Sequence, residues 1–287
     1  MSNTLSAFAA LVLASGSAAA QCKVSGSSNE GKLLAFYTVP IVFSPTTAPE
    51  QLPAGAVRLG LDGEYIPKPS AEIQKTGKCF TEKSEQTSIS PVFGRPRVTV
   101  GLPGGIALEA SYLPPVKISD AKPNLASMAL SRTQHLGIAS IIGGVDLMLR
   151  AHATFGNVKG PITCPKSALQ QTSSTAPCYG TTPSNDTFHP NVYGVELIGA
   201  VRPPRGALAY YGGVGINRID PRFQVGFTDG TGHVDNTKVQ LDSPLYRAAF
   251  IAGITAKPES RFDVGLQLYT VPADATTVRF QGGISFR

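Results

Sequence analysis

The sequence predicts an all-β chain: a closed antiparallel barrel of about ten strands, roughly 8 to 12, whose wall crosses a membrane. Three observations predict it. The 287 residues include 30 Gly and 23 Pro but no Trp, and 15% are charged, a turn-rich composition without the Ala/Glu/Lys/Leu bias of helical bundles. Apolar and polar residues alternate over stretches of roughly ten residues, the period of a strand with two unlike faces. The connections alternate too, short at residues 103–105, 203–206 and 257–260 and longer between them, as the two sides of a membrane would sort them. No apolar run reaches about 18 residues, so a membrane helix is not expected. A mean hydropathy of +0.03 still fits strands that show lipid only every second residue.

Taken in order, residues 1–20 read as a secretory signal. Leu5 to Ala14 is a short apolar stretch, and Ala18, Ala19 and Ala20 offer a small-residue cleavage site before Gln21. Cys22, Cys79, Cys164 and Cys178 are an even set without CxxC spacing, which in an oxidising compartment points to disulfides. Cys164 and Cys178 share one turn-rich segment and are expected to pair, leaving Cys22 for Cys79. A zinc site of Cys164, Cys178 and His189 is the sharper alternative, but the spacing matches no finger or ribbon. Residues 21–55 do not alternate. The apolar run 32–44 contains Pro40 and is followed by Pro49 and Pro53, so it reads as neither strand nor helix but as a prefix to the barrel.

Alternation begins at residue 56. Val57, Leu59, Leu61 and Tyr65 face one way; Arg58, Asp62 and Glu64 face the other and need water or partners. Beyond the polar stretch 70–90, Arg95, Arg97 and Thr99 oppose Val98, Val100 and Leu102. The turn at 103–105 then leads into Leu108 and Tyr112 opposite Glu109 and Ser111, a tight hairpin. A weaker strand sets Met128 and Leu130 against Ser127 and Ser131. The strongest sets Leu147, Leu149, Ala151, Ala153 and Phe155 against Asp146, Met148, Arg150, His152 and Thr154. At about eleven residues it is long enough to cross hydrocarbon when tilted. The second half repeats the scheme. Tyr193 and Val195 oppose Glu196; Tyr210 and Val214 oppose Tyr211 and Asn217; Tyr246 and Phe250 oppose Arg247; Phe262 and Val264 oppose Asp263. In the last strand Val278, Phe280, Ile284 and Phe286 oppose Thr277, Arg279, Gln281 and Ser285.

That closing strand, apolar at alternate positions with an aromatic near the terminus, resembles the final strand of bacterial outer-membrane β-barrels. The pattern over residues 56–287 is similar in size to the omptin barrels. The resemblance implies periplasmic short turns and outward long segments at 70–90, 157–190 and 220–244. The aromatics then sort into two belts, Tyr65, Tyr112, Phe155, Tyr193 and Tyr246 at the outer ends and Tyr210, Phe262 and Phe286 at the inner ends. Residues 21–55 become a periplasmic prefix or a plug in the lumen.

The inner face gathers Arg58, Asp62, Glu64, Arg97, Glu109, Asp146, Arg150, His152, Glu196, Arg247, Asp263 and Arg279. Both signs occur in similar number, which predicts a charge-paired lumen rather than the one-sign lining of an ion-selective pore. A narrow polar passage is the second reading. Asp146 and His152 share a face but stand ~20 Å apart at ~3.3 Å per residue, too far for an acid–base couple. The sequence holds no GxSxG, HExxH, P-loop or CxxC motif, so no enzyme, cofactor or metal is expected. The net charge of +6 is scattered, without the stripe a nucleic-acid partner would need. The expected function is an integral outer-membrane protein of structural or narrow-pore type, with lipid and at most a small polar or apolar solute as partners. The alternatives are a hydrophobic-compound transporter with 33–43 as a hatch, and a soluble periplasmic all-β binding protein.

Overall fold

The computed structural model describes residues 21–75, 79, 92–137, 144–203, 207–257 and 261–286. The expected signal at 1–20, much of the segment 70–90, residues 204–206 and 258–260 of two short turns, and the final residue lie outside the described residues.

The chain opens with β1 (Gln21–Val24), the helix α1 (Asn29–Thr38) and a 3-10 turn (Val39–Ile41). It continues through β2 (Val57–Tyr65), β3 (Val92–Leu102), β4 (Ile106–Leu113), β5 (Lys122–Leu136), β6 (Val145–Gly160) and β7 (Asp186–His189). After β8 (Val192–Val201) and β9 (Leu208–Ile219) come four short strands, β10 (Arg222–Gln224), β11 (Phe227–Thr228), β12 (Val234–Asp235) and β13 (Lys238–Leu241). The last three are β14 (Leu245–Ala256), β15 (Phe262–Val271) and β16 (Ala275–Phe286).

Ten of these form the wall, in the order β2-β3-β4-β5-β6-β8-β9-β14-β15-β16. Every neighbouring pair is antiparallel, and β16 returns to β2 in the register Val278↔Tyr65 to Phe286↔Val57, which closes the cylinder and leaves no unpaired wall edge. The β3–β4 turn, the start of β2 and the end of β16 lie at one end, the short-turn end. The segments β2–β3, β6–β8 and β9–β14 lie at the other, the long-loop end, as does the brief turn between β15 and β16.

Outward rows are apolar and uncovered by protein: Leu61 is 64% exposed, Leu149 57% and Val264 56%. Such a band encircling a closed wall exceeds what a water-soluble monomer exposes and matches the lipid-facing girdle of a membrane barrel. The soluble alternative fails here, since no second layer of the described residues covers these rows. The eight belt aromatics, Tyr65, Tyr112, Phe155, Tyr193 and Tyr246 at the long-loop end and Tyr210, Phe262 and Phe286 at the short-turn end, are all exposed on this outer face.

The prefix corrects one expectation. Residues 29–38 are helical, because Ser28 Oγ caps the first turn by accepting from the Gly31 N–H (3.1 Å), and Pro40 falls beyond the last α-helical residue, in the first turn of the 3-10 segment, where its missing N–H breaks no ladder. β1 sits at the long-loop end, paired parallel with β13 and joined by the Cys22–Cys79 disulfide to the β2–β3 segment. From the helix onward the chain descends inside the wall, and it leaves at the short-turn end, where the Gly55 N–H donates to the Gly101 carbonyl (2.9 Å). Residues 39–55 thus run the length of the lumen as a strap.

Above the outer belt, β7, β10 and β13 continue the lines of β8, β9 and β14 after breaks at Pro190, Pro221 and Pro244, and they pair in the order β6-β7-β10-β13-β1. Proline has no N–H for a ladder, so the wall sheet is interrupted at these points. The inner face of this extension, with Phe188, Phe223, Val239 and Leu241, packs over Leu34 and Ile41 and closes the outer mouth. Cys164 and Cys178 are disulfide-bonded in the same cap, as expected from their spacing. Their sulfurs are therefore not available to zinc, and His189 Nδ1 instead meets the Gly156 carbonyl (2.9 Å).

Candidate functional site

Apart from two turn bonds, Val42 N–H to the Val39 carbonyl (3.2 Å) and Ser44 N–H to the Val42 carbonyl (3.1 Å), the carbonyls of residues 39–44 have no ladder to join, and buried carbonyls need donors. Four wall arginines supply them. Arg95 donates to the carbonyls of Ile41 (3.2 Å) and Val42 (2.8 Å), Arg97 to Ser44 (2.7 Å), Arg150 to Phe43 (2.5 Å), and Arg279 to Val39 (3.0 Å) and Val42 (3.1 Å). β3 positions the first two, β6 the third and β16 the fourth, each at an inward position of its strand. The planar guanidinium carries five donors in a fixed fork, so one side chain can serve the strap and the wall together.

The same arginines are neutralised by wall carboxylates. Arg97 reaches Asp62 (2.6 Å) and Glu109 (2.5 Å); Arg150 reaches Glu109 (2.9 Å) and Glu196 (2.9 Å); Arg279 reaches Glu64 (3.0 Å). Arg95 lies 3.7 Å from Asp62. The Phe43 ring is fully buried among them, 4.1 Å from the Arg97 guanidinium carbon, 4.9 Å from that of Arg95 and 5.1 Å from that of Arg150, close enough for cation–π attraction. Towards the short-turn end Arg58 pairs with Asp263, Gln267 donates to the Pro45 carbonyl, Thr46 Oγ1 donates to Gln281 (2.6 Å), and the Ala48 N–H donates to Thr255 Oγ1 (2.6 Å).

Nine of the twelve residues assigned from sequence to the charged lumen meet in this network: Arg58, Asp62, Glu64, Arg97, Glu109, Arg150, Glu196, Asp263 and Arg279. His152 is buried beside it, its Nε2 3.7 Å from Glu196 Oε1. Asp146 and Arg247 stand apart at opposite rims. Asp146 accepts from His135 (2.8 Å) and pairs with Arg202, while Arg247 pairs with Asp274 (2.8 Å) in the β15–β16 turn. Burial pushes the Asp274 carboxyl above its ordinary pKa, with Arg247 pulling it back.

Two positions that sequence reading passed over shape the strap's seat. A Cβ at Gly101 would run into the Pro53 carbonyl, and one at Gly265 into the Thr46 carbonyl. An inward glycine inside a strand is the signal for such a close backbone approach. The facing half of the lumen is apolar. Met148, Ile198, Tyr211, Ile251 and Tyr269 pack on Ala35, Phe36, Val39, Val42 and Ala48. A space of about 50 Å³ remains beside the strap, lined by Thr47, Glu50, Thr99, Ser131 and Thr133 among others. That is room for a few waters and too little for a solute.

A closed wall, lipid-facing outside and filled with paired charge inside, defines a transmembrane β-barrel of the outer-membrane type. No family profile matches the chain, and no curated protein matches it by sequence. Solved structures that align with it include Ail, the attachment invasion locus protein of Yersinia pestis, at 10% identity over 81% of this chain and 99% of that one with a TM-score of 0.30. The translocator domain of the autotransporter NalP from Neisseria meningitidis aligns at 8% identity over 83% and 90% with a TM-score of 0.33. The KdgM porin aligns at 6% identity over 80% and 99% with a TM-score of 0.28. These alignments are loose, and the barrel assignment stands on the strand pairing and the exposed apolar rows.

Proposed function

We propose that this protein is an exported, non-enzymatic outer-membrane barrel of structural type, closed by its own N-terminal segment, with residues 1–20 as the signal removed on export. The observation that carries the reading is the set of six hydrogen bonds from four wall arginines to strap carbonyls between residues 39 and 44. The strap is also tied at its outer end by Cys22–Cys79 and at its inner end by Gly55 and Gly101. A segment held at both ends and in the middle is a fixture, which argues against a narrow pore for small solutes and against a hatch that swings aside for apolar ones. Its working surface is then the disulfide-braced cap at the long-loop end.

Planar-bilayer recording tests this. The intact protein is expected to be silent, while a variant lacking residues 21–55 conducts in stable steps. Stable steps from the intact protein would overturn the closed reading in favour of a passage. For the hatch, uptake of an apolar dye by cells carrying the intact protein, abolished by locking the strap to the wall with an added disulfide, is the opposing result.

A further inference from the structure

The lipid-facing side of the wall does not stop at the outer belt. Alternation holds through the breaks at Pro190, Pro221 and Pro244, so the outward face of the extension β6-β7-β10-β13-β1 prolongs the face that carries Phe155, Tyr193 and Tyr246. Its chemistry changes abruptly. One rung, read from strand register, runs Lys122↔Lys159↔Thr187↔Gln224↔Lys238↔Gln21 across β5, β6, β7, β10, β13 and β1. The next carries His189, Arg222, Gln240 and Lys23. Neither rung contains a carboxylate. Asp220 and Asp242 lie on this face just below, and Asp220 is 3.4 Å from Arg222. Lys23, Lys122, Lys159 and Lys238 are exposed and have no carboxylate partner among the described residues.

Two placements point to an anion. Lys122 and Lys159 are directly opposite each other on neighbouring strands, an arrangement that like charges disfavour unless something negative sits between them. Arg218, also without an ion-pair partner among the described residues, lies in register between the belt residues Tyr193 and Tyr246 on the lipid-facing side. Cations therefore occur at two heights on one outer strip, at the belt and, for Lys159, six residues beyond Ala153, the β6 residue in register with Arg218 through Tyr193, about 20 Å further along the strand. A surface continuous with the lipid-facing wall is met first by the lipid beside it, and cations at two heights match a headgroup with anionic groups at two heights. We propose that this strip binds a phosphate-bearing glycolipid of the surrounding outer leaflet, with Arg218 taking a phosphate at the belt and Lys122, Lys159 and Lys238 taking those on the sugars above. The inference rests on the membrane-barrel reading.

The test uses the full chain in nanodiscs of zwitterionic phosphatidylcholine, with phosphorylated lipopolysaccharide, its dephosphorylated form, or neither, and follows heat-modifiable gel migration as the barrel opens. Phosphorylated lipopolysaccharide is expected to raise the opening temperature of the native chain. The triple variant Lys122→Gln, Lys159→Gln, Lys238→Gln should need about tenfold or more glycolipid for the same rise, and Arg218→Gln should show a smaller loss. All four side chains lie on the outer face, and a compact migrating band without glycolipid shows that each variant has folded. An equal rise in the triple variant, or with the dephosphorylated lipid, overturns the proposal. So does an equal rise from soluble polyphosphate, which would make the partner a free polyanion. A chain that never enters the lipid fraction instead sinks the barrel reading, an outcome visible before any glycolipid is added.

Discussion

The two halves of the lumen hold one strap by opposite means. On the side of β2, β3, β4 and β16 the wall presents arginines and carboxylates, and what it binds is backbone: carbonyls of residues 39, 41, 42 and 44. On the side of β8, β9, β14 and β15 it presents chiefly Ile198, Tyr211, Ile251 and Tyr269, and what these bind is side chain, Ala35, Phe36, Val39, Val42 and Ala48, with Gln267 on the Pro45 carbonyl and Thr255 on the Ala48 N–H as its backbone contacts. β6 is the boundary, with Arg150 turned to one half and Met148 to the other. An irregular segment buried in a cylinder has both kinds of group to satisfy, and a wall of one chemistry would leave one kind stranded. The charged half is thus a donor array matched to a backbone.

Substitutions on the two sides can break or sharpen that contrast. The largest effect is expected from Arg150→Ala, which strips Glu196 and the Phe43 carbonyl of their arginine, leaves Glu109 only Arg97, and should destabilise by about 3–5 kcal/mol in urea unfolding of the folded, lipid-embedded barrel. On the apolar side Phe36→Ala should lose about 3 kcal/mol in the same assay. If Arg150→Ala proved the milder of the two, the charged half would be ornament and the apolar half the anchor. Removing the outer tie with Cys22→Ser and Cys79→Ser should lower stability by about 2–4 kcal/mol, leaving both halves untouched. Gly265→Ala adds no charge and little surface but pushes on the Thr46 carbonyl; a loss of about 1–3 kcal/mol is expected, and wild-type stability would mean that the strap is not seated there.

The smallest effect is one of pH. The Asp274 carboxyl is raised by burial, so the folded state holds its proton more tightly than the unfolded chain does. Stability should therefore fall as pH rises from the ordinary carboxylate value of 3.8 to the higher folded-state value, against the partial compensation from Arg247. Asp274→Asn should flatten that slope. An unchanged slope would assign it to other groups.

The wall was legible because its signal is local: a period of two residues, belt aromatics at the strand ends, and turns that differ in length between the two sides. The charged lumen was legible as residues and as paired charge. Its other partner was not, because a backbone carbonyl has no letter in a sequence, and nothing near Arg95 or Arg279 says that residues 39–44 will lie beside them. The helix at 29–38 was missed for a related reason. Leu33, Leu34, Ala35 and Phe36 are all buried, so the helix lacks the polar face from which a 3.6-residue period is read, and Pro40 drew the eye to a break that lies just past its end. Inward glycines such as Gly101 and Gly265 were the available clue to a backbone running inside the wall.

Because residues 39–55 lie within the cylinder, with a helix and a cystine knotted to the rim above them, the order of assembly is constrained. A finished tube would have to draw that bulk up through its own bore, whereas an open gutter of strands can curl around it. The seam between β2 and β16, where the first and last wall strands meet, is the joint whose opening would admit it.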